Sequence, residues 1–464
     1  MYFEQFYLGC LSHASYMLAS EDVAAVVDPQ RDVGIYIDEA RKHGFVIKYV
    51  IETHLHADFV SGHRELAALT GAQIYVGAKA GAKFHHVPIH DGDELMLGNC
   101  RLKFLETPGH TIESVSVVVH DLDQGPDPVA VLTGDTLFIG DVGRPDLSEN
   151  LTPQQLAGML YDSLHEKLLK LPDSVTVYPA HGAGSLCGRQ MSQERSSTLG
   201  KEKLSNYALR PKTREEFVKL LTAELPERPG YFALDVEINR AGAGPLQELP
   251  EIPALQPHEV EAAQQHGVII LDTRAAPEFC GAHIPGSLHI GLSGQFASWA
   301  GVLLGLDCDI ILIAEDDERV EESRLRLARV GIERVTGYLA GGLPAWIGDG
   351  LPIRQTSQIS VEHLAQDQAA LQVIDVRRPA EWESGHVASA HLKPLNRLAG
   401  ELTDLDPAHP VAVYCKGGYR SAIACSVLER AGFEEVINVI GGFDAWLACN
   451  LEKVEEHTPT SIRD

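Results

Sequence analysis

The second half of the chain repeats itself, and that repeat limits the possible folds more than any other feature. Leu271-Asp272-Thr273-Arg274 is answered by Ile374-Asp375-Val376-Arg377. Glu278-Phe279 and His283-Ile284 are answered by Glu381-Trp382 and His386-Val387 at the same offset of 103. Gly341-Gly342-Leu343-Pro344-Ala345-Trp346 returns as Gly441-Gly442-Phe443-Asp444-Ala445-Trp446 at an offset of 100. Such self-similarity predicts two copies of one domain of about 100 residues, over 258–355 and 356–455, with a tail at 456–464. In each copy an apolar run (Ile310–Ala314, Val411–Tyr414) leads into a helical stretch, the pattern of a parallel sheet covered by helices. The segment 241–257, rich in Pro, Gly and Ala, reads as a linker. Residues 1–240 then form a domain of their own, and 464 residues exceed what one core holds. Its predicted strands are Lys48–Glu52, Gln73–Val76, Arg101–Glu106, Val115–His120, Val129–Leu132 and Ser174–Tyr178.

Lys plus Arg number 38 against 65 Asp plus Glu, a net charge of −27. A surface so acidic repels nucleic acid and anionic lipid, so neither is expected as a partner, and an anionic substrate needs local basic residues. No run approaches the roughly 20 apolar residues of a membrane span. The first residues lack a basic, then apolar leader, which predicts a cytoplasmic protein. The eight cysteines are scattered without a CxxC pair, which argues against a disulfide framework.

Chemistry concentrates first at Thr53-His54-Leu55-His56-Ala57-Asp58-Phe59, directly after the apolar strand at 49–51. Two His and one Asp at alternate positions of a loop can point at one spot. His110 follows the strand Arg101–Glu106, Asp135 follows Val129–Leu132, and His181 follows Ser174–Tyr178. Every candidate ligand thus lies at the carboxyl end of a strand, where α/β sheets collect their ligands. Adjacent Gly and Pro let the backbone turn there.

These motifs resemble those of the metallo-β-lactamase superfamily across the whole N-terminal half, which implies an αββα sandwich. The family motif is HxHxDH followed by a distant His, a bridging Asp and a final His. This chain departs at Phe59, which cannot ligate a metal, so a dinuclear hydrolytic site is weakened. What remains reads as His54, His110 and Asp135, two His and a carboxylate with open positions, as in mononuclear Fe(II) oxygenases. The domain most resembles the persulfide dioxygenase branch. The resemblance implies one Fe(II) per chain, oxidation of a low-molecular-weight persulfide by O2 to sulfite, and His56, Asp58 and His181 as residues that orient the ligands. Arg144, in Gly143-Arg144-Pro145-Asp146, is a candidate to pair with a substrate carboxylate. Cys187 follows His181 closely and resembles a cysteine of the fused persulfide dioxygenases, which places it near the iron.

The second constellation is Cys415-Lys416-Gly417-Gly418-Tyr419-Arg420-Ser421, between the strand ending at Tyr414 and a helix expected from Ala422 to Arg430. Backbone N–H groups of such a loop, the helix N-terminus, Lys416 and Arg420 favour negative charge on the sulfur. The loop resembles that of rhodanese sulfurtransferases, and four residues between Cys and Arg suit sulfur better than the five of a phosphatase loop. At the offset of 100, Glu315 of the first repeat stands for Cys415 and Val320 for Arg420, which leaves an acidic loop without a nucleophile. The first repeat is therefore expected to be a non-catalytic rhodanese-like αβα domain.

The whole order resembles bacterial fusions of a persulfide dioxygenase with tandem rhodanese domains, which act in sulfide detoxification. That resemblance implies a homo-oligomer, dimer or tetramer, and sulfur exchange at Cys415 between persulfide and sulfite or thiosulfate, in either direction. Two alternatives stay open: a thioester hydrolase of the glyoxalase II type fused to a sulfurtransferase, and a non-oxidative sulfur carrier.

Overall fold

A computed structural model describes residues 1–148, 150–211, 213–223, 225 and 227–455. The tail expected at 456–464 lies outside them. The chain divides into two compact units, one built mainly on Met1–Pro250 and the other mainly on the residues that follow.

The first unit holds two six-stranded sheets. One begins with the antiparallel strands Tyr2–Leu8, His13–Ser20 and Val23–Val27 and continues in parallel through Val46–Glu52 and Gln73–Gly77. The other runs through Glu94–Leu97, Cys100–Glu106, Val115–Asp121, Ala130–Gly134 and Thr176–Pro179. Their inner faces share one core, with Tyr16, Leu18, Val27 and Ile51 from the first sheet meeting Leu102, Phe104, Val117 and Leu132 from the second. Helices Gly34–His43 and His63–Thr70 cover the outer face of the first sheet through Tyr36 and Leu66. Helices Pro153–Glu166 and Arg214–Thr222 cover that of the second through Leu160, Leu164 and Phe217. The result is the expected αββα sandwich. The six strands anticipated from sequence are present within one or two residues of their ends. The first three strands escaped sequence reading because His13–Ser20 is buried at every position and Val23–Val27 at nearly every one, so neither shows a two-residue alternation.

The second unit holds two five-stranded parallel sheets of matching order. In the first repeat Ala254–Leu255 pairs with Val335–Leu339, so the segment read as a linker already contributes a strand. Ile310–Ile313 and Ile269–Asp272 form the centre, and Leu288–His289 forms an edge. In the second repeat Gln372–Asp375 and Val411–Tyr414 take the central places. Among the described residues no helix is long and apolar enough to cross a membrane.

Candidate metal centre and sulfur-transfer site

Four strand ends converge in the first unit. The turn after Ala130–Gly134 needs glycine, because Gly134 has φ +51° and an added Cβ would press on Thr53. His54, His110 and Asp135 are buried, and one ligand atom of each lies within 4.8 Å of the other two. Asp135 Oδ2 is 3.4 Å from His110 Nε2 and 3.8 Å from His54 Nε2. None of these three atoms has a hydrogen-bond partner among the described residues. Leaving buried polar atoms unpaired costs about 1–3 kcal/mol each, so three that converge form a set suited to a cation.

The surroundings fix the tautomers. His110 Nδ1 is 3.0 Å from the Arg144 carbonyl, which can only accept, so Nδ1 carries the proton and Nε2 keeps its lone pair. Thr53 donates its hydroxyl to Asp28 Oδ2 at 2.8 Å and thereby accepts from His54 Nδ1 at 3.0 Å. Burial lowers the pKa of His54 and of His110, so both stay neutral. Burial opposes ionisation of Asp135, but His181, through its positive charge and its hydrogen bond, overrides it and holds the carboxyl well below its usual range. Two neutral imidazoles and one carboxylate form a donor set suited to a divalent transition metal with coordination positions left open.

His181 lies between two carboxylates, with Nδ1 2.8 Å from Asp135 Oδ1 and Nε2 3.0 Å from Asp58 Oδ2. Burial lowers its pKa, yet Asp135 and Asp58 outweigh that and hold it well above the usual value. An imidazolium there orients Asp135 and offers no lone pair. His56 Nε2 is 3.2 Å from Asp28 Oδ1. His56, Asp58 and His181 nonetheless form a second group of converging donors. Phe59 is fully buried beside them, its ring 4.4 Å from that of His56.

Cys187 is buried, with its sulfur in one cluster with Asp135 and His181. Burial, with Asp58 and Asp135 close by, pushes its thiol pKa well up. Arg144 differs from expectation. It is buried, its guanidinium is paired with both oxygens of Asp146 at 2.7 and 2.8 Å, and it donates to the Leu186 carbonyl at 3.2 Å. It braces the loop of Cys187 instead of facing a ligand. Beside the centre lies a cavity of about 210 Å³, lined by Leu55, Ala57, Thr111, Phe232, Arg228 and Arg240 among others.

Three residues of this site carried no recognised motif. Asp28 ends the strand Val23–Val27 and accepts from Thr53 N at 2.7 Å. The only signal available was its place after an apolar strand. His13 packs on Phe59 at 4.1 Å with both ring nitrogens unpartnered. Asn239, on helix Tyr231–Ala241, donates to the carbonyls of His56 and Phe59 and accepts from Ser61 N, each at 2.8 Å. Asn239→Ala should therefore orphan three buried backbone groups and lower the unfolding free energy by about 3 kcal/mol. Urea unfolding of the full chain measures this, and a loss under about 1 kcal/mol would mean that water replaces the amide.

In the second unit, Val411–Tyr414 delivers Cys415, and after three intervening residues the helix Tyr419–Arg430 begins. Its first turn therefore includes Arg420, earlier than the expected start at Ala422. Cys415 is buried, and its sulfur accepts from Gly418 N at 3.1 Å. Gly418, at φ +106°, takes the left-handed turn that aims this N–H inward. Ser421 Oγ is 3.6 Å from the sulfur and donates to Asn438 Oδ1 at 2.7 Å. Arg420 is locked to both oxygens of Glu381 at 2.7 Å. Burial alone would raise the Glu381 pKa, but Arg420 brings it down to about 2. Lys416 is exposed.

The first repeat aligns differently from the constant offset. Ile313 pairs with Asp272 as Tyr414 pairs with Asp375, so Ala314, not Glu315, stands where Cys415 stands. Gly342 approaches the Ala314 carbonyl as Gly442 approaches that of Cys415. Only Glu315 and Asp316 separate Ala314 from the helix Asp317–Ala328, one residue fewer than in the second repeat. The position has no thiol, and its shorter loop carries the carboxylates of Glu315 and Asp316.

The family described as the metallo-beta-lactamase superfamily matches residues 8–181, and that described as a rhodanese-like domain matches 256–349 and 360–449. The mitochondrial persulfide dioxygenase of Bos taurus is 33% identical over 181 residues, covering 37% of this chain and 64% of that protein. A hydroxyacylglutathione hydrolase of Brucella anthropi is 31% identical over 204 residues, covering 43% of this chain and 68% of that one. Among solved structures, a metallo-beta-lactamase from Staphylococcus aureus subsp. aureus COL is 32% identical at a TM-score of 0.66, covering 73% of this chain and 98% of that chain. The chain belongs to the metallo-β-lactamase superfamily and carries two rhodanese-like domains behind that fold. It spans about three-fifths of the length of the curated persulfide dioxygenases it matches.

Proposed function

We propose that the protein oxidises low-molecular-weight thiol persulfides at a single Fe(II) held by His54, His110 and Asp135, and moves sulfane sulfur through Cys415. The observation that carries this reading is the set of three unpartnered, buried donor atoms beside a position filled by Phe59. Iron bound there would supply open coordination positions for persulfide and O2 and would relay to O2 the four electrons that the outer sulfur gives up. The balance is RSSH + O2 + H2O → RSH + SO3²⁻ + 2 H⁺. The chain's own residues set the stage. Arg144 O and Thr53 hold two imidazoles in the ligating tautomer, His181 fixes Asp135, and the Phe59 ring, packed on His13, fills the neighbouring position without offering a ligand. The cavity beside the triad suits the thiol moiety; its lining carries Lys79, Arg228 and Arg240 beside Glu113 and Glu237, with Arg240 paired to Glu237.

At the second site the Cys415 thiolate takes sulfur from RSSH, releasing RSH, and the resulting cysteine persulfide passes it to sulfite as thiosulfate. Gly418 N–H and the helix start stabilise the anionic sulfur at each stage. The reverse direction uses the same groups. His54 and Cys415 act here as ligand and nucleophile, and the first repeat serves without a nucleophile of its own.

O2 uptake by anaerobically Fe(II)-loaded protein given glutathione persulfide tests the proposal, with sulfite and thiosulfate quantified. Uptake at one iron per chain is expected. A second reading, thioester hydrolysis at two metals, is favoured by the converging His56, Asp58 and His181. No uptake, with two bound zinc ions and thioester cleavage, would replace the first reading with the second.

A further inference from the structure

The helix Tyr419–Arg430, which carries the sulfur-transfer site, is buried without a break from Ser421 to Glu429. Its counterpart in the first repeat, Asp317–Ala328, opens with exposed Asp317, Glu318 and Arg319. The sequences anticipate this: Ser-Ala-Ile-Ala-Cys-Ser-Val-Leu has no charge, and a helix apolar on all sides must be covered on all sides. One side lies on its own sheet. The other side meets the first repeat.

The contact runs the length of the helix. At the start, Tyr419 donates its hydroxyl to the Gly291 carbonyl at 2.9 Å. Its ring lies against Gly294, where an added Cβ would come within 3.3 Å of the ring and where φ is +71°. In the middle, Ser426 Oγ accepts from His289 N at 3.0 Å, which closes the open edge of the strand Leu288–His289. Near the end, the buried Glu429 carboxylate meets His283 Nε2 at 2.8 Å. Arg430 donates to the Gly286 carbonyl at 2.9 Å. Tyr419 stands between Gly418, whose N–H touches the Cys415 sulfur, and Arg420, which is locked to Glu381.

We propose that the first repeat is a working half of the sulfur-transfer site: it has no nucleophile, but through Gly291 it holds Tyr419 and so fixes the helix start that presents Gly418 N–H to the Cys415 sulfur. Tyr419 is a positioning residue. With its hydroxyl released, the helix start can shift, and the anionic sulfur loses part of its stabilisation in the reactive state more than in the bound complex. The inference rests on Cys415 being the sulfur-carrying thiol.

The test uses the full-length chain and the variant Tyr419→Phe, which keeps the ring and removes the hydroxyl. Thiosulfate serves as sulfur donor and cyanide as acceptor, and Cys415 alkylation by iodoacetamide is followed in parallel. One lost hydrogen bond of about 1 kcal/mol predicts a fall in kcat and in alkylation rate of roughly five- to tenfold, with KM for thiosulfate nearly unchanged. Ser426→Ala should act in the same direction and more weakly. The initial rate of O2 uptake at the first unit stays at the wild-type value and reports a folded chain. Wild-type kcat and alkylation rate in Tyr419→Phe would overturn the proposal, as would a change in KM alone. If the wild-type chain transfers no sulfur, the proposed function fails at this site, while the alkylation comparison still decides whether the first repeat sets the reactivity of Cys415.

Discussion

His110→Ala should reduce bound metal from one ion per chain to near zero and lower persulfide-dependent O2 uptake by at least about a hundredfold. Losing an outer partner of a metal ligand alone costs about 10–100-fold, and this variant removes the ligand itself. The choice of His110 over Asp135 matters physically. His110 is held neutral, so its removal leaves an uncharged gap. Removing Asp135 would leave the His181 imidazolium with one carboxylate fewer in a buried place, and misfolding would then mimic loss of metal. The readouts are metal content by elemental analysis, O2 uptake, and thiosulfate-to-cyanide transfer at Cys415. Transfer should persist, because Cys415 belongs to the other unit. Full metal retention with unchanged O2 uptake would remove His110 from the ligand set and shift attention to His56, Asp58 and His181.

What could be seen in the sequence follows from how local each constraint is. His54, His110, Asp135 and His181 each come just after an apolar strand, the last three beside Gly, so a short window contains strand, turn and ligand together. The Cys415 loop is legible for the same reason. Asp28, His13 and Asn239 act on those ligands from distant parts of the chain. Asn239 lies 183 residues from the His56 carbonyl it holds, and no spacing rule joins them. The first repeat shows a different failure. A constant offset assumes equal loops, but the loop after Ala314 is one residue short, so the residue in the place of Cys415 was misassigned although its lack of a thiol was not. Arg144 shows a third. Gly-Arg-Pro-Asp looks like a cation presented on a turn, yet Asp146 two residues on is the partner that satisfies it.

The second large effect concerns coupling between the two chemistries. Cys415→Ser should abolish sulfur transfer, by roughly a thousandfold or more, because a serine hydroxyl is essentially un-ionised at neutral pH and cannot carry a sulfane sulfur. The fold should tolerate the change. The position is buried, Ser is nearly isosteric, and the new hydroxyl keeps the Gly418 N–H and Ser421 Oγ as partners. O2 uptake should continue, so the product of persulfide oxidation should change from thiosulfate to sulfite while the O2 consumed per persulfide rises. The rise follows from stoichiometry. In the wild type one persulfide is oxidised and a second gives its sulfur to the sulfite formed, so two persulfides use one O2. In the variant each persulfide uses its own O2. A doubling of O2 per persulfide, with sulfite in place of thiosulfate, therefore reads the coupling without any rate comparison. An unchanged ratio with thiosulfate still formed would mean that sulfite captures sulfur from RSSH without Cys415, and the rhodanese site would then have to draw its sulfur from a different donor.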